Sequence, residues 1–102
     1  MIFFNVPEAR NQLMEKGLVY TLRSSFRSVG RTRAVTGSYS KNTYLCDVAV
    51  SRMITVRHPD DLHPYLHRSG FDDVDNWLSK ATPSARTLYK VERLTYLEGG
   101  IR

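Results

Sequence analysis

The sequence predicts a single α+β domain, spanning residues 1–102, in which short helices flank a sheet. The chain is long enough for one hydrophobic core, and its 41% hydrophobic and 25% charged residues are typical of a soluble globular protein. Segments in which every second residue is apolar indicate strands, and segments with apolar residues three or four positions apart indicate helices. Both kinds of segment occur in this chain, so we expect an α+β fold.

The first helix is predicted over residues 7–16. Asn5 is placed to cap its start, and Pro7 is tolerated in a first turn because its missing N–H has no partner there. Gly17 is placed to end the helix in the left-handed conformation.

Four strands are predicted from the alternation of apolar and polar residues. They cover residues 18–23, 31–36, 44–56 and 87–97. The third is about twice the usual strand length, so we expect it to bend or to contain a bulge. Cys46 and Tyr44 lie on its apolar face, as Tyr20 does in the first strand, and these three are predicted to be core residues.

Two short helices are predicted between the third and fourth strands. Pro59 and the acidic pair Asp60 and Asp61 mark the start of the first, Pro64 places the beginning of its regular part near His63, and Gly70 ends it. The second begins with Asp72 and Asp75 as a capping pair and carries Trp77 on its buried face.

The charge distribution is uneven along the chain. The formal net charge is +5, and residues 1–57 hold nine Lys or Arg and three Asp or Glu, whereas residues 58–102 hold six and seven. Residues 16–41 contain six basic residues and no acidic residue. Such a segment projects a positive field, which favours polyanions such as nucleic acid. A solvated basic loop is the alternative.

Several classes of protein are disfavoured. The single cysteine, Cys46, excludes an internal disulfide and a cysteine zinc site. The opening residues 1–10 lack a basic leader, and no apolar run is long enough for a membrane span, so we expect a cytoplasmic location without membrane contact. His63 and His67 share a helix face but have no third ligand, so we expect no metal. The sequence has no cofactor-binding motif, so no cofactor is expected.

Five segments of the chain resemble the ASCH family of the PUA-like superfamily, including its small archaeal members. The segments are GLVYTLR, GSY, DVAVSRMITV, DLHPYLHRSGFDDVDNWL and LYKVERL, and the resemblance extends from about residue 7 to residue 94. It implies a small PUA-like β-barrel of about five strands, flanked by two or three short helices. It also implies a role in binding RNA or modified nucleotides.

In ASCH-like proteins, the strand after the first helix carries a G-x-K-x-x-T-x-R type motif that faces a cleft beside the barrel. Gly17, Thr21 and Arg23 match this motif if one residue is missing between them, and Leu18 or Val19 occupies the lysine position. Some members hydrolyse acetylated cytidine with a lysine, a threonine and a glutamate. The lysine is absent here, so the catalytic residues stay unassigned and a binding module is favoured over an enzyme.

The resulting hypothesis is a module that binds RNA or a single-stranded nucleic acid. Thr21 and Arg23 would line a cleft, arginines and a lysine would hold phosphates, and an exposed aromatic residue would stack on a base. The guanidinium groups are expected to converge around one hollow. The candidate binding residues are Thr21, Arg23, Phe26, Arg27, Arg31, Arg33, Tyr39 and Lys41.

Three alternatives stay open at this point. In the first, Arg23 forms a structural salt bridge with Asp47 or Glu92 instead of binding a ligand. In the second, the protein is an amidohydrolase acting on acetylated cytidine or related modified nucleosides. In the third, it is a peptide-binding or dimerising adaptor that uses a strand edge or groove. The oligomeric state is not predicted.

Overall fold

The computed structural model describes residues 1–24 and 29–94. Five strands form one sheet in the order β1-β3-β4-β5-β2, and the sheet curls into a half-barrel with three helices. The predicted α+β class is therefore confirmed. The elements are β1 (Ile2–Phe3), α1 (Pro7–Lys16), β2 (Leu18–Arg23), β3 (Gly30–Gly37), β4 (Asn42–Thr55), a 3-10 helix (Pro59–Arg68), α2 (Val74–Lys80) and β5 (Thr87–Arg93).

The predicted strands and the observed strands agree closely. β3 and β4 form an antiparallel hairpin, and β5 pairs antiparallel with both β4 and β2. The pairing of the long β4 with its two neighbours contains two register shifts. One lies at Ala34 and Val35 of β3, and the other lies between Arg52 and Ile54 of β4 itself. The predicted bulging is therefore confirmed, and such irregularities increase the local bend and twist of a sheet. The last part of the strand predicted over residues 87–97 lies outside the described residues.

The first strand, β1, was not predicted. It consists of two residues and pairs in parallel with β3, with Ile2 opposite Ala34 and Phe3 opposite Val35. Two residues are too few to show an alternating pattern, so this pairing depends on contacts across the fold.

The predicted cap at Asn5 is wrong. The N-cap of α1 is Val6, without a side-chain cap, whereas Gly17 ends the helix with φ +81° as expected. The Asn5 amide instead bonds to the end of β3: Nδ2 donates to the Gly37 carbonyl at 2.9 Å, and Oδ1 accepts from the Gly37 N–H at 2.7 Å. Oδ1 also accepts from Thr36 Oγ1 at 2.8 Å. Asn5 thus ties the chain after β1 to the β3–β4 hairpin.

The helix before α2 begins at Pro59, as predicted, but it is a 3-10 helix over its whole length rather than one whose regular part begins near His63. Its start is held by reciprocal contacts: the Asp60 N–H donates to His58 Nδ1, and the Asp61 carboxylate accepts from the N–H groups of Arg57 and His58. Pro64 lies inside this helix and cannot donate an α-helical hydrogen bond, which favours the tighter geometry.

The short helix α2 begins one residue later than predicted. Its N-cap is Asp73 rather than Asp72, and the Asp73 carboxylate accepts from the Asn76 N–H at 2.7 Å. Within the described ranges, no helix has the length and apolar character needed to cross a bilayer.

The sheet separates two groups of buried side chains. On one face, called the inner face here, Val19 of β2 packs in a cluster with Leu13 of α1. On the opposite, outer face, Leu22 packs in a cluster with Leu62 of the 3-10 helix and Trp77 of α2. Because side chains alternate along a strand, every second residue of β2 counted from Val19 faces inward.

Candidate ligand-binding cleft

A cleft of about 240 Å³ opens on one side of the half-barrel. Its walls come from three parts of the chain that are distant in sequence. Residues 3–6 lead from the end of β1 to the start of α1, residues 21–24 cover the end of β2 and the residue after it, and the third wall contains Phe71, Trp77 and residues 80–82. The pairing of β2 with β5 fixes the second wall, and the packing of α2 on the outer cluster fixes the third.

Arg23 lies at the end of β2 and points toward this cleft from the inner face. Its Nε donates a hydrogen bond to Thr21 Oγ1 at 3.1 Å, and its guanidinium carbon lies 4.9 Å from the centre of the Phe4 ring. Thr21 is buried and Phe4 is fully buried, so both partners are themselves fixed by packing. The guanidinium is therefore held in a defined orientation at the cleft wall.

The opposite wall of the cleft is aromatic and basic. The rings of Phe71 and Trp77 are nearly parallel, at 11°, with centroids 6.4 Å apart. Trp77 is buried and belongs to the outer cluster, as predicted, but it also lines the cleft. Lys80, in the last turn of α2, brings a second cation to the cleft.

Sequence reasoning did not select Lys80 or Phe71. A lysine in the last turn of a helix has a sufficient local explanation in the helix dipole, and an aromatic residue before a helix is ordinary packing. Only the folded arrangement places the two residues across from Arg23.

The cleft is positively charged. The described residues that line it include two cations, Arg23 and Lys80, and no carboxylate. Its other polar groups are neutral hydroxyls and an amide, from residues such as Thr21 and Asn5. A concave, partly apolar site with two cations attracts an anionic ligand.

The predicted convergence of the arginines is wrong. Arg31 and Arg33 are exposed and alternate with Ala34, which lies opposite the inner-face residue Cys46. Side chains of successive residues point to opposite faces of a sheet, so Arg31 and Arg33 project from the outer face. Arg23 lies on the inner face, and the three guanidinium groups therefore do not share one hollow.

The prediction that Tyr44 is a core residue is also wrong. Tyr44 is 53% exposed, its ring lies 5.9 Å from the Arg33 guanidinium carbon, and its hydroxyl donates to Asp47 Oδ1 at 3.0 Å. Tyr44 pairs with Val35, next to the register shift between Ala34 and Val35. This shift interrupts the alternation of faces from which the core position of Tyr44 was predicted. Tyr44 therefore belongs to the exposed surface near Arg33.

Two further core predictions agree with the structure. Tyr20 is half-buried and packs edge-on against Tyr65, with ring centroids 4.9 Å apart. Cys46 is buried, and burial raises the pKa of its thiol, an effect reinforced by Asp47 and opposed by Arg93.

Of the two carboxylates predicted as alternative partners of Arg23, Glu92 lies opposite Leu18, at the other end of β2, and Asp47 lies opposite Arg33 of β3. Glu92 pairs instead with Lys90, which lies two residues before it on β5, at 3.4 Å. The two side chains leave the same face of the strand, so this pair forms locally.

The remaining predicted binding residues lie at the tip of the β3–β4 hairpin or outside the description. Tyr39 is 77% exposed, and its ring centroid lies 5.0 Å from that of Phe3. Lys41 is exposed in the same turn. Phe26 and Arg27 lie outside the described residues.

The histidines of the 3-10 helix have local partners. His63 lies 3.5 Å from the Asp60 carboxylate, and the His67 ring lies 6.4 Å from that of Tyr20. Over residues 1–24 and 29–94, no group of three or more His, Cys, Asp or Glu side chains is arranged to hold a metal ion.

Comparisons of the chain with protein-family models, with curated proteins and with solved structures find no match. The resemblance to ASCH proteins therefore stays a prediction.

Proposed function

We propose that this protein is a PUA-like module that binds RNA or another single-stranded nucleic acid, with one nucleotide entering the cleft. The observation that carries the proposal is the combination of Arg23 and Lys80 with the half-buried rings of Phe3 and Phe71 around one concave site. Nucleic acids present phosphates and flat bases together, and cations next to aromatic side chains suit both groups.

The size of the cleft supports a single nucleotide as the bound group. Its volume of about 240 Å³ is below the range of roughly 300–1,000 Å³ that is usual for pockets that enclose whole ligands. A site of this size suits one unit of a longer chain, while the rest of that chain lies on the protein surface.

The concave shape favours an unpaired strand over a duplex. A base can enter a cleft and meet aromatic side chains only when it is not stacked within a double helix. Arg23 suits a phosphate at the cleft wall because its planar guanidinium donates several hydrogen bonds in fixed directions, whereas Lys80 contributes a mobile point charge.

The single tryptophan provides a direct measurement of binding. Trp77 is the only tryptophan in the chain and it lines the cleft, so its fluorescence reports on ligand entry. Single-stranded and double-stranded RNA of the same sequence would be titrated at two salt concentrations. We expect tighter binding of the single strand, and weaker binding of both at higher salt because phosphate contacts release counterions.

A pair of lysine variants tests the location of the site. Lys80→Gln removes a cation from the cleft, and Lys16→Gln removes one from the last turn of α1, outside the cleft. Both lysines are exposed at helix ends, so the two changes have similar effects on the helices. We expect Lys80→Gln to weaken binding of the single strand about fivefold and Lys16→Gln to change it by less than about twofold. Equal effects of the two changes, or no binding by the unaltered protein, would contradict the proposal.

A further inference from the structure

We infer that Tyr39, at the tip of the β3–β4 hairpin, is a second base-stacking position, so that the ligand is a single strand of at least two nucleotides rather than a free mononucleotide. This inference rests on the proposed function, because it extends the same site.

Phe3 lines the cleft and also contacts Tyr39. The Tyr39 ring meets the Phe3 ring edge to face, at 62° and 5.0 Å between centroids, and Phe3 lines the cleft. Tyr39 is nevertheless 77% exposed, the most exposed large hydrophobic residue among those described. One face of an aromatic ring is thus presented to solvent directly beside the cleft mouth, which is the arrangement on which a base stacks.

The backbone that carries Tyr39 is held firmly. Ser38 and Lys41 exchange two backbone hydrogen bonds, at 2.9 and 3.2 Å, and the Asn42 side chain donates to the Tyr39 carbonyl at 3.2 Å. At the start of this turn, Gly37 has φ +113°, and a Cβ there would lie 2.5 Å from the Lys41 carbonyl oxygen. The turn therefore has one closely packed conformation.

Asn5 connects this turn to the cleft. Its side chain makes two hydrogen bonds to the Gly37 backbone and one to Thr36, and Asn5 itself lines the cleft. The backbone of the turn that carries Tyr39 is therefore tied by hydrogen bonds to a residue of the cleft wall. A stacking platform that is ordered before binding loses little entropy when the base arrives.

The charges of the hairpin tip and of the cleft favour a polyanionic ligand. Residues 38–42 contain Lys41 and no acidic residue, and the described lining of the cleft contains Arg23 and Lys80 without a carboxylate. Cations therefore lie at both ends of the surface that runs from α2 through Phe3 to the hairpin tip. A strand with a phosphate at each nucleotide matches this spread better than a ligand with a single anionic group.

The test compares adenosine 5′-monophosphate with the 5′-phosphorylated trinucleotide pApApA, using Trp77 fluorescence and calorimetry. The unaltered protein should bind the trinucleotide more tightly. Tyr39→Ala should weaken trinucleotide binding about tenfold and leave mononucleotide binding unchanged, because only the longer ligand reaches the hairpin tip. Tyr39→Phe, which keeps the ring, should retain the affinity for the trinucleotide.

Tyr44→Ala is the matched control, since Tyr44 is also exposed but lies near Arg33, away from the cleft. It should leave the affinities for both ligands unchanged. Binding of the two ligands with equal affinity, or a trinucleotide affinity that Tyr39→Ala does not alter, would overturn the inference and leave the proposed function standing. No binding of either ligand would refute both.

Discussion

The guanidinium of Arg23 lies between the ring of Phe4 and the hydroxyl of Thr21, on the face of β2 that also carries the buried Val19. A cation over an aromatic ring at such a half-buried position is stabilised by roughly 0.5–2 kcal/mol. The guanidinium carries its five N–H donors in a fixed planar fork. Lysine would not reproduce this arrangement, because its ammonium is a point charge that neither stacks on a ring nor donates in a fixed fork.

The contribution of Asp61 to the stability of the fold depends on pH. Its carboxylate accepts hydrogen bonds from the N–H groups of Arg57 and His58, and these bonds lower the pKa of Asp61. A carboxyl group whose pKa is lower in the folded protein stabilises the fold above its unfolded pKa, near 4, and this contribution is lost as the pH falls through the folded value.

We therefore expect Asp61→Asn to be less stable than the unaltered protein at pH 7, with a difference that shrinks below about pH 4. Urea unfolding at pH 7 and at about pH 3 measures this difference. Asp72→Asn, which removes another exposed carboxylate close to a helix start, should change stability little at either pH. A loss for Asp61→Asn that is the same at both pH values would show that the charge of the carboxylate plays no part.

The connection between the 3-10 helix and α2 packs directly on α1. Gly70 has φ +90°, and a Cβ at this position would lie 2.2 Å from the Glu8 carbonyl oxygen and 2.8 Å from its carbon. Only glycine permits this approach, because the obstructing atoms belong to the helix backbone. The close contact sets the position of Phe71, the next residue, and so fixes one wall of the cleft.

Gly70→Ala should lower the free energy of unfolding by about 2–4 kcal/mol, because it adds a backbone clash to the strain of a positive φ. Gly30→Ala is the control: Gly30 has φ +106°, but a Cβ there meets no atom of the described residues within 4 Å. Gly30→Ala should lower the free energy of unfolding only by the conformational strain of the positive φ, about 1 kcal/mol. Urea denaturation of both variants measures the two losses, and losses of equal size would show that the contact with α1 is unimportant.

The elements that were predicted correctly have strong local signals. The helix over residues 7–16 ends at a glycine, and the alternation in β2 and β4 extends over six residues or more. β1 has no such signal because its two residues gain their hydrogen bonds from β3, more than 30 positions away. Asn5 was misassigned for the same reason, since its partners, Thr36 and Gly37, are distant in sequence.

The cleft was predicted only in part. Alternation correctly places Thr21 and Arg23 on the same face of β2 and places Arg31 and Arg33 together on one face of β3. It does not tell which face of one strand corresponds to which face of another, because that depends on the order and direction of the strands. Lys80 reaches the cleft only through the packing of α2, so no local pattern identifies it.

At the scale of the whole molecule, the positive charge is divided between two surfaces. Arg23 and Lys80 face the cleft, whereas Arg31 and Arg33 project from the outer face of the sheet. Arg31 lies six residues from Gly37, about 20 Å along the strand from the hairpin tip. The net charge of +5 attracts a polyanion at long range, but a short strand in the cleft does not reach Arg31.

The double variant Arg31→Gln/Arg33→Gln therefore distinguishes the cleft from the sheet surface. If both arginines contacted phosphates, the slope of log affinity against log salt for single-stranded RNA would become shallower by about 1.4, since each contact contributes about 0.7. We expect the slope for a trinucleotide to stay unchanged, because the ligand occupies the cleft and the hairpin tip. Titrations at four salt concentrations measure it, and Lys16→Gln/Arg57→Gln serves as the control for the loss of two charges elsewhere on the surface. A shallower slope for the first variant alone would place the phosphates on the outer face of the sheet.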